Sequence, residues 1–292
     1  MANIPVVQFS SGAKVHQLAY GTGSAWMKEV EGELHRPTVD AIKAAIDVGY
    51  RHLDGAQYYK NEAELGIAVK ESGLPRSDLF LTTKVFGHTD VEGHLRRSLE
   101  KLGTDYIDLY MLHEPFSARG DPAALQAVWR DMEACLEKGL ARNIGVSNFL
   151  VPHLQAVLET ARTRPAVNQI ELHPYLPRAE LVRFCQENGT TVEAFAPLAP
   201  LTHARPGPVN AVVGRLADKY GVSEGAVLLR WHVERGVVAV TTSSKKERLQ
   251  GYLAQIPAFQ LSEAEVDEIS TAGEKKQFRQ YMAEMYGKDV WD

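Results

Sequence analysis

Short apolar segments alternate with amphipathic helical segments along this chain, and that alternation most constrains its fold. After an apolar segment at residues 18–20, segments with the composition of buried strands recur near residues 50–53, 79–83, 106–112, 143–146, 166–170, 191–195 and 237–241. Nearly continuous apolar strands separated by helices predict a parallel sheet that is covered by helices. Eight such units, without a Gly-x-Gly-x-x-Gly sequence after the first strand, favour a closed (β/α)8 TIM barrel over a doubly wound sheet.

The helical segments carry their own start and stop signals. The clearest begins at Asp121 and ends at Gly139, and apolar residues recur along it at helical spacing. Trp129 fits this spacing, so we expect it in the core rather than in a binding site. By the same signals, Thr38 is expected to cap the first helix. No Pro- or Ser-rich linker separates the units, so we expect one domain over residues 1–292.

Two segments lie outside the repeating pattern. Residues 6–9 and 14–18 flank Ser10-Ser11-Gly12, which is a hairpin signal, and we expect this hairpin to plug the bottom of the barrel. Residues 274–292 are too apolar for a disordered tail. We expect them to fold back over the barrel, using Phe278, Tyr281, Met282, Met285, Tyr286 and Trp291.

Composition and charge argue against several classes of function. The chain has 292 residues, a net charge of −5 and no long run of Lys and Arg, which argues against nucleic acid or an anionic membrane as a partner. The sequence has no stretch of about 18 apolar residues, so it predicts no membrane span. Residues 1–5 do not resemble a signal peptide. Its two cysteines, Cys135 and Cys185, fit reduced buried thiols. We therefore expect a cytoplasmic protein.

Four ionisable side chains follow three consecutive predicted strands. Asp54 and Tyr59 follow the second strand, Lys84 the third and His113 the fourth. The ends of neighbouring strands share one rim of a barrel, so these groups are expected to meet there. Lys84 would lower the pKa of the Tyr59 phenol and Asp54 would balance the lysine's charge. His113 would orient a substrate oxygen, and together the set suits protonation of an alkoxide formed by hydride transfer.

Each of these residues also has an ordinary structural explanation. An isolated Lys–Asp pair is more often a solvated ion pair than a catalytic one. An isolated His or Tyr is more often simply buried. The functional interpretation rests on the occurrence of all four at consecutive strand ends.

These motifs resemble those of the aldo-keto reductase family. The family's loop pattern corresponds to Asp54, Tyr59, Asn61 and Glu62, and its lysine and histidine correspond to Lys84 and His113. Two further signatures are present in order, at residues 145–149 (Gly-Val-Ser-Asn-Phe) and 168–175 (Asn-Gln-Ile-Glu-Leu-His-Pro-Tyr). The resemblance extends from the Gly21-Thr22 loop to about residue 255.

The resemblance implies an NADPH-dependent reductase of aldehydes and ketones with Tyr59 as the proton donor. Ser147, Asn148 and Gln169 would then hold the nicotinamide carboxamide, and Phe195 would stack on the ring. The remaining cofactor contacts implied are those of Gly21, Thr22, Asp54, Pro197, Leu198, Ser243, Ser244 and Arg248. The substrate would be a small carbonyl compound, and we expect the protein to be a monomer, as family members often are.

The sequence departs from the family pattern at several positions. Glu114 follows His113 where tryptophan is common, which would make the pocket wall acidic if the side chain points inward. Phe195 replaces the usual tyrosine. Thr242 replaces a lysine that would help to bind the 2′-phosphate of NADPH, whereas Ser243 and Arg248 match the pattern. A charged run at this place could also be only a solvated helix start.

These departures look most like the fungal branch that reduces α-ketoamides and conjugated polyketones. The resemblance to that branch suggests substrates of those types or α-dicarbonyl compounds. We expect Trp26, Phe86 and Glu114 to shape the substrate pocket together with Tyr59 and His113.

Two other classes of function stay open. One is a cofactor-binding barrel with a regulatory or structural role, although such a role makes no chemical demand on Tyr59 and Lys84. The other is a metal-dependent hydrolase or isomerase that uses His113, Glu114, Glu171 and His173. No Cys/His cluster accompanies these residues, so we expect no metal.

Overall fold

Eight parallel strands form a closed barrel in the computed structural model, which describes residues 4–87 and 89–286. A two-stranded antiparallel hairpin, β1 (Val6–Gln8) and β2 (Lys14–His16), precedes the barrel. The barrel strands are β3 (Leu18–Gly21), β4 (His52–Asp54), β5 (Phe80–Val85), β6 (Leu109–Leu112), β7 (Ile144–Ser147), β8 (Val167–Glu171), β9 (Thr191–Phe195) and β10 (Val238–Thr241). Parallel pairing of β10 with β3 closes the barrel, so the predicted fold class is confirmed.

Helices connect the strands and cover the outside of the barrel. They are α1 (Arg36–Val48), α2 (Glu62–Glu71), α3 (Val91–Leu102), α4 (Pro122–Glu137), α5 (Val151–Leu158), α6 (Ala179–Glu187), α7 (Ala199–Thr202), α8 (Pro208–Tyr220), α9 (Glu224–Glu234), α10 (Lys246–Gln255), α11 (Glu263–Gly273) and α12 (Ala283–Tyr286). None of the helices within the described residues is long and apolar enough to cross a membrane.

Of the two helix caps predicted above, one is confirmed and the other is wrong. Asp121 caps α4, since its side chain accepts a hydrogen bond from the Ala123 amide. The expected cap at Thr38 is wrong, because α1 begins two residues earlier, at Arg36. Pro37 occupies the first turn, where its missing N–H costs nothing. The Thr38 hydroxyl instead lies 2.8 Å from Nδ1 of His35.

The hairpin packs against strand residues of the barrel. Phe9 and Val15 are buried with Leu109 and Met111 of β6 and Val167 of β8. Leu109 and Val167 begin their strands, so the contact lies at the amino-terminal end of the barrel. This arrangement leaves the opposite end, where the strands finish, open to loops and ligands.

The segment after α11 returns to the carboxyl end of the barrel. The main-chain amides of Gln280 and Tyr281 donate to the two oxygens of Glu171, at 2.7 and 2.9 Å. The Tyr286 hydroxyl donates to the carbonyl oxygen of Asn148 at 2.6 Å. The tail therefore folds over the barrel as expected as far as residue 286, while Trp291 lies outside the described residues.

Candidate active site

Four ionisable side chains meet at the carboxyl ends of β4, β5 and β6. Asp54 is the last residue of β4, and Tyr59 lies in the turn of 3-10 helix that follows it. Lys84 is in β5, and His113 follows β6 directly. The strands are hydrogen-bonded neighbours, so their ends bring together the groups expected from the sequence.

Lys84 is completely buried and holds Asp54 through both carboxylate oxygens. Its Nζ donates to Oδ1 and Oδ2 at 2.7 Å each and to the carbonyl oxygen of Gly55 at 2.9 Å. The Tyr59 hydroxyl oxygen lies 3.5 Å from the same Nζ. Burial disfavours the ammonium, but the negative charge of Asp54 and its hydrogen bonds to Lys84 oppose this effect, and the pKa of Lys84 is raised. Lys84 therefore stays charged and fixes Asp54 in place.

The Tyr59 phenol has a raised pKa. Burial is the largest cause, and the nearby Lys84 ammonium opposes it without reversing the direction. The expectation that Lys84 lowers the pKa of Tyr59 below its ordinary value is therefore wrong for the net shift, because desolvation dominates. The phenol keeps its proton at neutral pH, which is the form that a proton donor requires.

His113 lies beside Tyr59 as a neutral ring. The two ring centroids are 5.7 Å apart at an angle of 85°, and Phe86 packs on the histidine at 5.8 Å. Burial and then the charge of Lys84 lower the pKa of His113 to about 3. A neutral imidazole can donate one hydrogen bond to a carbonyl oxygen without contributing a second positive charge.

Gly23 controls how close the first loop comes to Tyr59. A Cβ atom built on Gly23 would lie 2.9 Å from Cζ of Tyr59 and 3.2 Å from its hydroxyl oxygen. Asn61 holds this loop, since its Nδ2 donates to the carbonyl oxygens of Thr22 and Trp26 at 2.8 Å each. Sequence reasoning did not assign Gly23 a role, because the contact exists only once the barrel brings the two loops together.

A cavity of about 830 Å³ extends from these groups across the top of the barrel. Most of the residues expected to hold the cofactor line this cavity. They are Gly21, Asp54, Ser147, Asn148, Gln169, Phe195, Pro197, Leu198 and Arg248. Three others, Thr22, Ser243 and Ser244, are not in its lining. Thr22 is buried and its hydroxyl donates to the Asp54 carbonyl oxygen, and the Ser243 hydroxyl accepts the Lys245 amide, so both support the loops.

Ser147, Asn148 and Gln169 present amide and hydroxyl groups to one side of the cavity. Nδ2 of Asn148 donates to the carbonyl oxygen of His113 at 3.0 Å, and Nε2 of Gln169 donates to Oδ2 of Asp54 at 2.8 Å. The amide nitrogens are thus engaged with the protein. Within the described residues, no hydrogen bond occupies Oδ1 of Asn148 or Oε1 of Gln169, so both oxygens are available to the N–H groups of a carboxamide ligand. These two acceptor oxygens fit the N–H groups of a nicotinamide carboxamide.

The tail supplies a further part of the cavity wall. Residues 280–285 line the cavity, and the Tyr281 ring meets the Phe195 ring edge-on at 5.6 Å. The sequence indicated that the tail would cover the barrel, but it did not indicate that Tyr281 would contact Phe195. The hydrogen bonds from the tail to Glu171 and Asn148 help to place it there.

The expected substrate residues divide into two groups. Phe86, Tyr59 and His113 line the cavity, and the partly exposed Phe86 stacks on Tyr58 at 5.3 Å. Trp26 and Glu114 are not in the lining. The Trp26 indole donates instead to the Thr242 hydroxyl at 3.0 Å.

Glu114 is buried beneath the loop that follows β6. Its carboxylate accepts hydrogen bonds from the Ser117 amide at 2.9 Å and from the Ser117 hydroxyl. The expected acidic pocket wall is therefore absent, because the next turn binds the side chain and holds it away from the cavity lining.

The proposed metal ligands do not come together. Within residues 4–87 and 89–286, no group of three or more His, Cys, Asp or Glu side chains could hold a metal ion. Nε2 of His173 lies 3.2 Å from Glu171, and the same carboxylate receives the tail amides. These two residues thus have a structural explanation.

Comparisons with known proteins agree with this geometry. The profile of the Aldo/keto reductase family matches residues 17–274. An NAD/NADP-dependent indole-3-acetaldehyde reductase of Schizosaccharomyces pombe is 42% identical over 94% of this chain and 97% of its own length. An NADPH-dependent alpha-keto amide reductase of Saccharomyces cerevisiae is 38% identical over 96% and 94%. The crystal structure of a silkworm aldo-keto reductase complexed with NADPH superposes with a TM-score of 0.86, at 33% identity, over 99% of this chain and 93% of that one.

The chain belongs to the aldo/keto reductase family and is an enzyme of the oxidoreductase class. The two fungal relatives also agree with the branch that the sequence resembles most.

Proposed function

We propose that this protein reduces aldehydes and ketones to alcohols with NADPH and that Tyr59 donates the proton. Bound NADPH supplies the hydride. Tyr59 delivers its phenolic proton to the carbonyl oxygen, and Lys84 stabilises the phenolate that forms. His113 donates a hydrogen bond that orients the carbonyl oxygen, and Asp54 holds the Lys84 ammonium.

One observation carries this proposal. A protonated phenol and a neutral imidazole lie side by side on the wall of one cavity, and a buried ammonium lies 3.5 Å from the phenol oxygen. A regulatory barrel would need none of these charge states. A hydrolase would need a metal or an activated nucleophile, whereas Lys84 is a charged ammonium that donates to Asp54 and Gly55 and cannot act as a nucleophile.

The proposed cofactor site runs from Gln169 to Arg248. Ser147, Asn148 and Gln169 would hold the carboxamide of the nicotinamide, and Phe195 would pack against its ring. The exposed Arg248 lines the other end of the cavity and would bind the 2′-phosphate. Thr242 stands where the family pattern has a lysine, and its side chain carries no charge. We therefore expect NADPH to be preferred over NADH without NADH being excluded.

The proposed substrates are conjugated carbonyl compounds, with α-ketoamides and α-dicarbonyls foremost. The stacked pair of Tyr58 and Phe86 stands next to His113 at the cavity. A flat conjugated group could stack on this aromatic surface while its carbonyl reaches Tyr59. One relative is named for indole-3-acetaldehyde, an aldehyde that carries a flat aromatic group, and another for alpha-keto amides, in which a ketone adjoins an amide carbonyl.

The first experiment is a fluorescence titration of the protein with NADPH and, separately, with NADH. Quenching of the four tryptophans reports binding. Failure of both cofactors to bind would overturn the proposal at its base. Binding without turnover of any carbonyl in a broad screen would favour the regulatory alternative, and turnover abolished by a chelator would favour the metal-dependent one.

Two variants test the residue roles. Tyr59→Phe is expected to bind NADPH normally and to lose at least about a hundredfold in kcat, since it removes only the proton that is transferred. Arg248→Ala is expected to weaken NADPH binding more than NADH binding. Arg183→Ala, an exposed arginine of α6 outside the cavity lining, is the matched control. If Arg248→Ala weakens the binding of NADPH and NADH equally, Arg248 does not bind the 2′-phosphate.

A monomeric state and a cytoplasmic location stay predictions. Analytical ultracentrifugation would test the first, and localisation of a tagged chain would test the second.

A further inference from the structure

A second buried carboxyl group lies beneath the nicotinamide side of the cavity. Glu193, in the middle of β9, is completely buried among strand residues. It stands directly across from Gln169 in the parallel register of β8 and β9. Nε2 of Gln169 donates to Oε2 of Glu193 at 2.9 Å and to Oδ2 of Asp54 at 2.8 Å. One amide group therefore bridges two carboxyl groups.

The charges around this bridge do not balance if both carboxyl groups are ionised. Lys84 is bonded to both oxygens of Asp54. Oε1 of Glu193 has no hydrogen-bond partner within the described residues, and the group that faces it is Nε2 of His52 at 3.7 Å. Burial, as the largest cause, lowers the pKa of His52 to about 4, so this ring is neutral at pH 7. A buried carboxylate without a cation is very costly, and such a group takes up a proton instead.

We propose that Glu193 is a positioning residue that carries a proton at neutral pH and thereby favours NADPH over NADP⁺. This inference rests on the function proposed above. Protonated on Oε1, Glu193 still accepts the Gln169 amide through Oε2, so Gln169 keeps its carbonyl oxygen available to the cavity. The neutral acid adds no negative charge below the site. Because the oxidised nicotinamide ring is cationic and the reduced ring is neutral, an ionised Glu193 would strengthen the binding of NADP⁺ relative to NADPH.

Glu193 is the group in this cluster that changes charge just above neutral pH. Burial, as the largest cause, raises the pKa of Glu193 to about 8. The titratable groups that interact with Glu193, with His52 or with Lys84 come from the hairpin, β4, the loop after β4 and β5. They are His16, His52, Asp54, Tyr59 and Lys84. The adjacent strand β10 contributes only apolar residues and Thr241.

These neighbours do not change charge in the same range. The pKa of His52 is far below it, and those of Tyr59 and Lys84 are raised above their ordinary values near 10.

The test is the affinity of both cofactor forms as a function of pH. Dissociation constants of NADPH and NADP⁺ are measured by tryptophan fluorescence from about pH 6.5 to about pH 9.5. In the wild-type protein the dissociation constant of NADP⁺ is expected to fall on the order of tenfold relative to that of NADPH as pH rises through about 8. This is the size of effect expected when one unit charge appears near the site at an effective dielectric of about 20. Glu193→Gln keeps the bond to Gln169 and cannot ionise, so its ratio is expected to stay flat.

Glu62→Gln is the matched control. Glu62 is another buried glutamate whose pKa burial raises, but its carboxylate accepts from the Thr83 hydroxyl at 2.6 Å and does not touch Gln169. This variant is expected to keep the pH dependence of the wild-type ratio. A flat wild-type ratio, or an unchanged pH dependence in Glu193→Gln, would overturn the inference while leaving NADPH binding, and thus the proposed function, in place.

A second readout needs no cofactor. An acid whose pKa is raised on folding contributes stability that is fully present below its ordinary pKa of 4.5 and is lost as pH rises through about 8. Relative to Glu193→Gln, the unfolding constant of the wild type in urea is therefore expected to rise about tenfold per pH unit across that window. A difference that does not change with pH would show an ionised Glu193 and overturn the inference, even if neither cofactor bound.

Discussion

Replacement of Lys84 by methionine tests the buried ion pair at the centre of the site. Methionine keeps the apolar stem of the side chain but removes the ammonium, which makes two bonds of 2.7 Å to Asp54. Hydrogen bonds to charged groups contribute about 1.5–3 kcal/mol each, and the loss of one partner of a buried pair costs about 3–5 kcal/mol. Because both side chains are buried and Asp54 would remain, we expect Lys84→Met to lose about 3–5 kcal/mol of unfolding free energy.

Urea unfolding of a double-mutant cycle isolates the pair. Asp54→Asn in the Lys84→Met background removes the unpaired charge, so the double variant is expected to be about 2–3 kcal/mol more stable than the sum of the single losses predicts. Its turnover is not expected to return, since the Tyr59 phenolate would still lack its cation. Lys219→Met, which removes an exposed lysine paired with Glu265, is the control and should unfold like the wild type.

Two results would refute this reasoning. Additive losses in the cycle would mean that the two charges do not stabilise one another. Recovery of turnover together with stability would mean that Lys84 serves the fold and not the proton transfer.

Three further outcomes are expected. Glu171→Gln should loosen the tail, because its carboxylate accepts the amides of Gln280 and Tyr281; faster limited proteolysis after residue 274 and a several-fold rise in KM would show this, and unchanged cleavage would contradict it. Phe195→Ala should raise the Kd of NADPH roughly threefold to tenfold, the range of one aromatic contact, whereas Phe195→Tyr should stay near the wild type. The profile of kcat/KM against pH should show no inflection from His113 near pH 6.5, because burial lowers the pKa of its ring to about 3 and keeps it neutral; an acidic limb there that disappears in His113→Gln would argue for a charged ring.

The central groups of the site were predictable because they follow regular strands. Once β4, β5 and β6 are recognised as neighbours in a parallel barrel, their ends must lie together, and so must Asp54, Lys84 and His113. Tyr59, the proposed proton donor, could be placed with them because it lies only a few residues beyond β4. The family motifs added the same residues independently.

Other features depend on contacts between segments that are far apart in the chain. Glu114 adjoins His113 in sequence, yet Ser117 binds its carboxylate and holds it away from the cavity lining. The direction in which the pKa of Tyr59 shifts could not be predicted from its neighbours alone, because burial opposes the effect of Lys84. Glu193 is a single glutamate in a short strand, and the sequence around it does not indicate its burial or its charge state.

The sequence by itself determined the alternation of strands and helices, the closed barrel that this alternation favours, and the rim at which Asp54, Tyr59, Lys84 and His113 meet. These follow from local periodicity and from the rule that parallel strands finish at one end. The tertiary structure alone decided which polar groups bond to one another, as Gln169 donates to both Asp54 and Glu193, and where the tail meets Phe195. The reason is that ionisation and side-chain direction depend on desolvation and on partners brought close by barrel closure, and neither quantity is encoded in residue spacing.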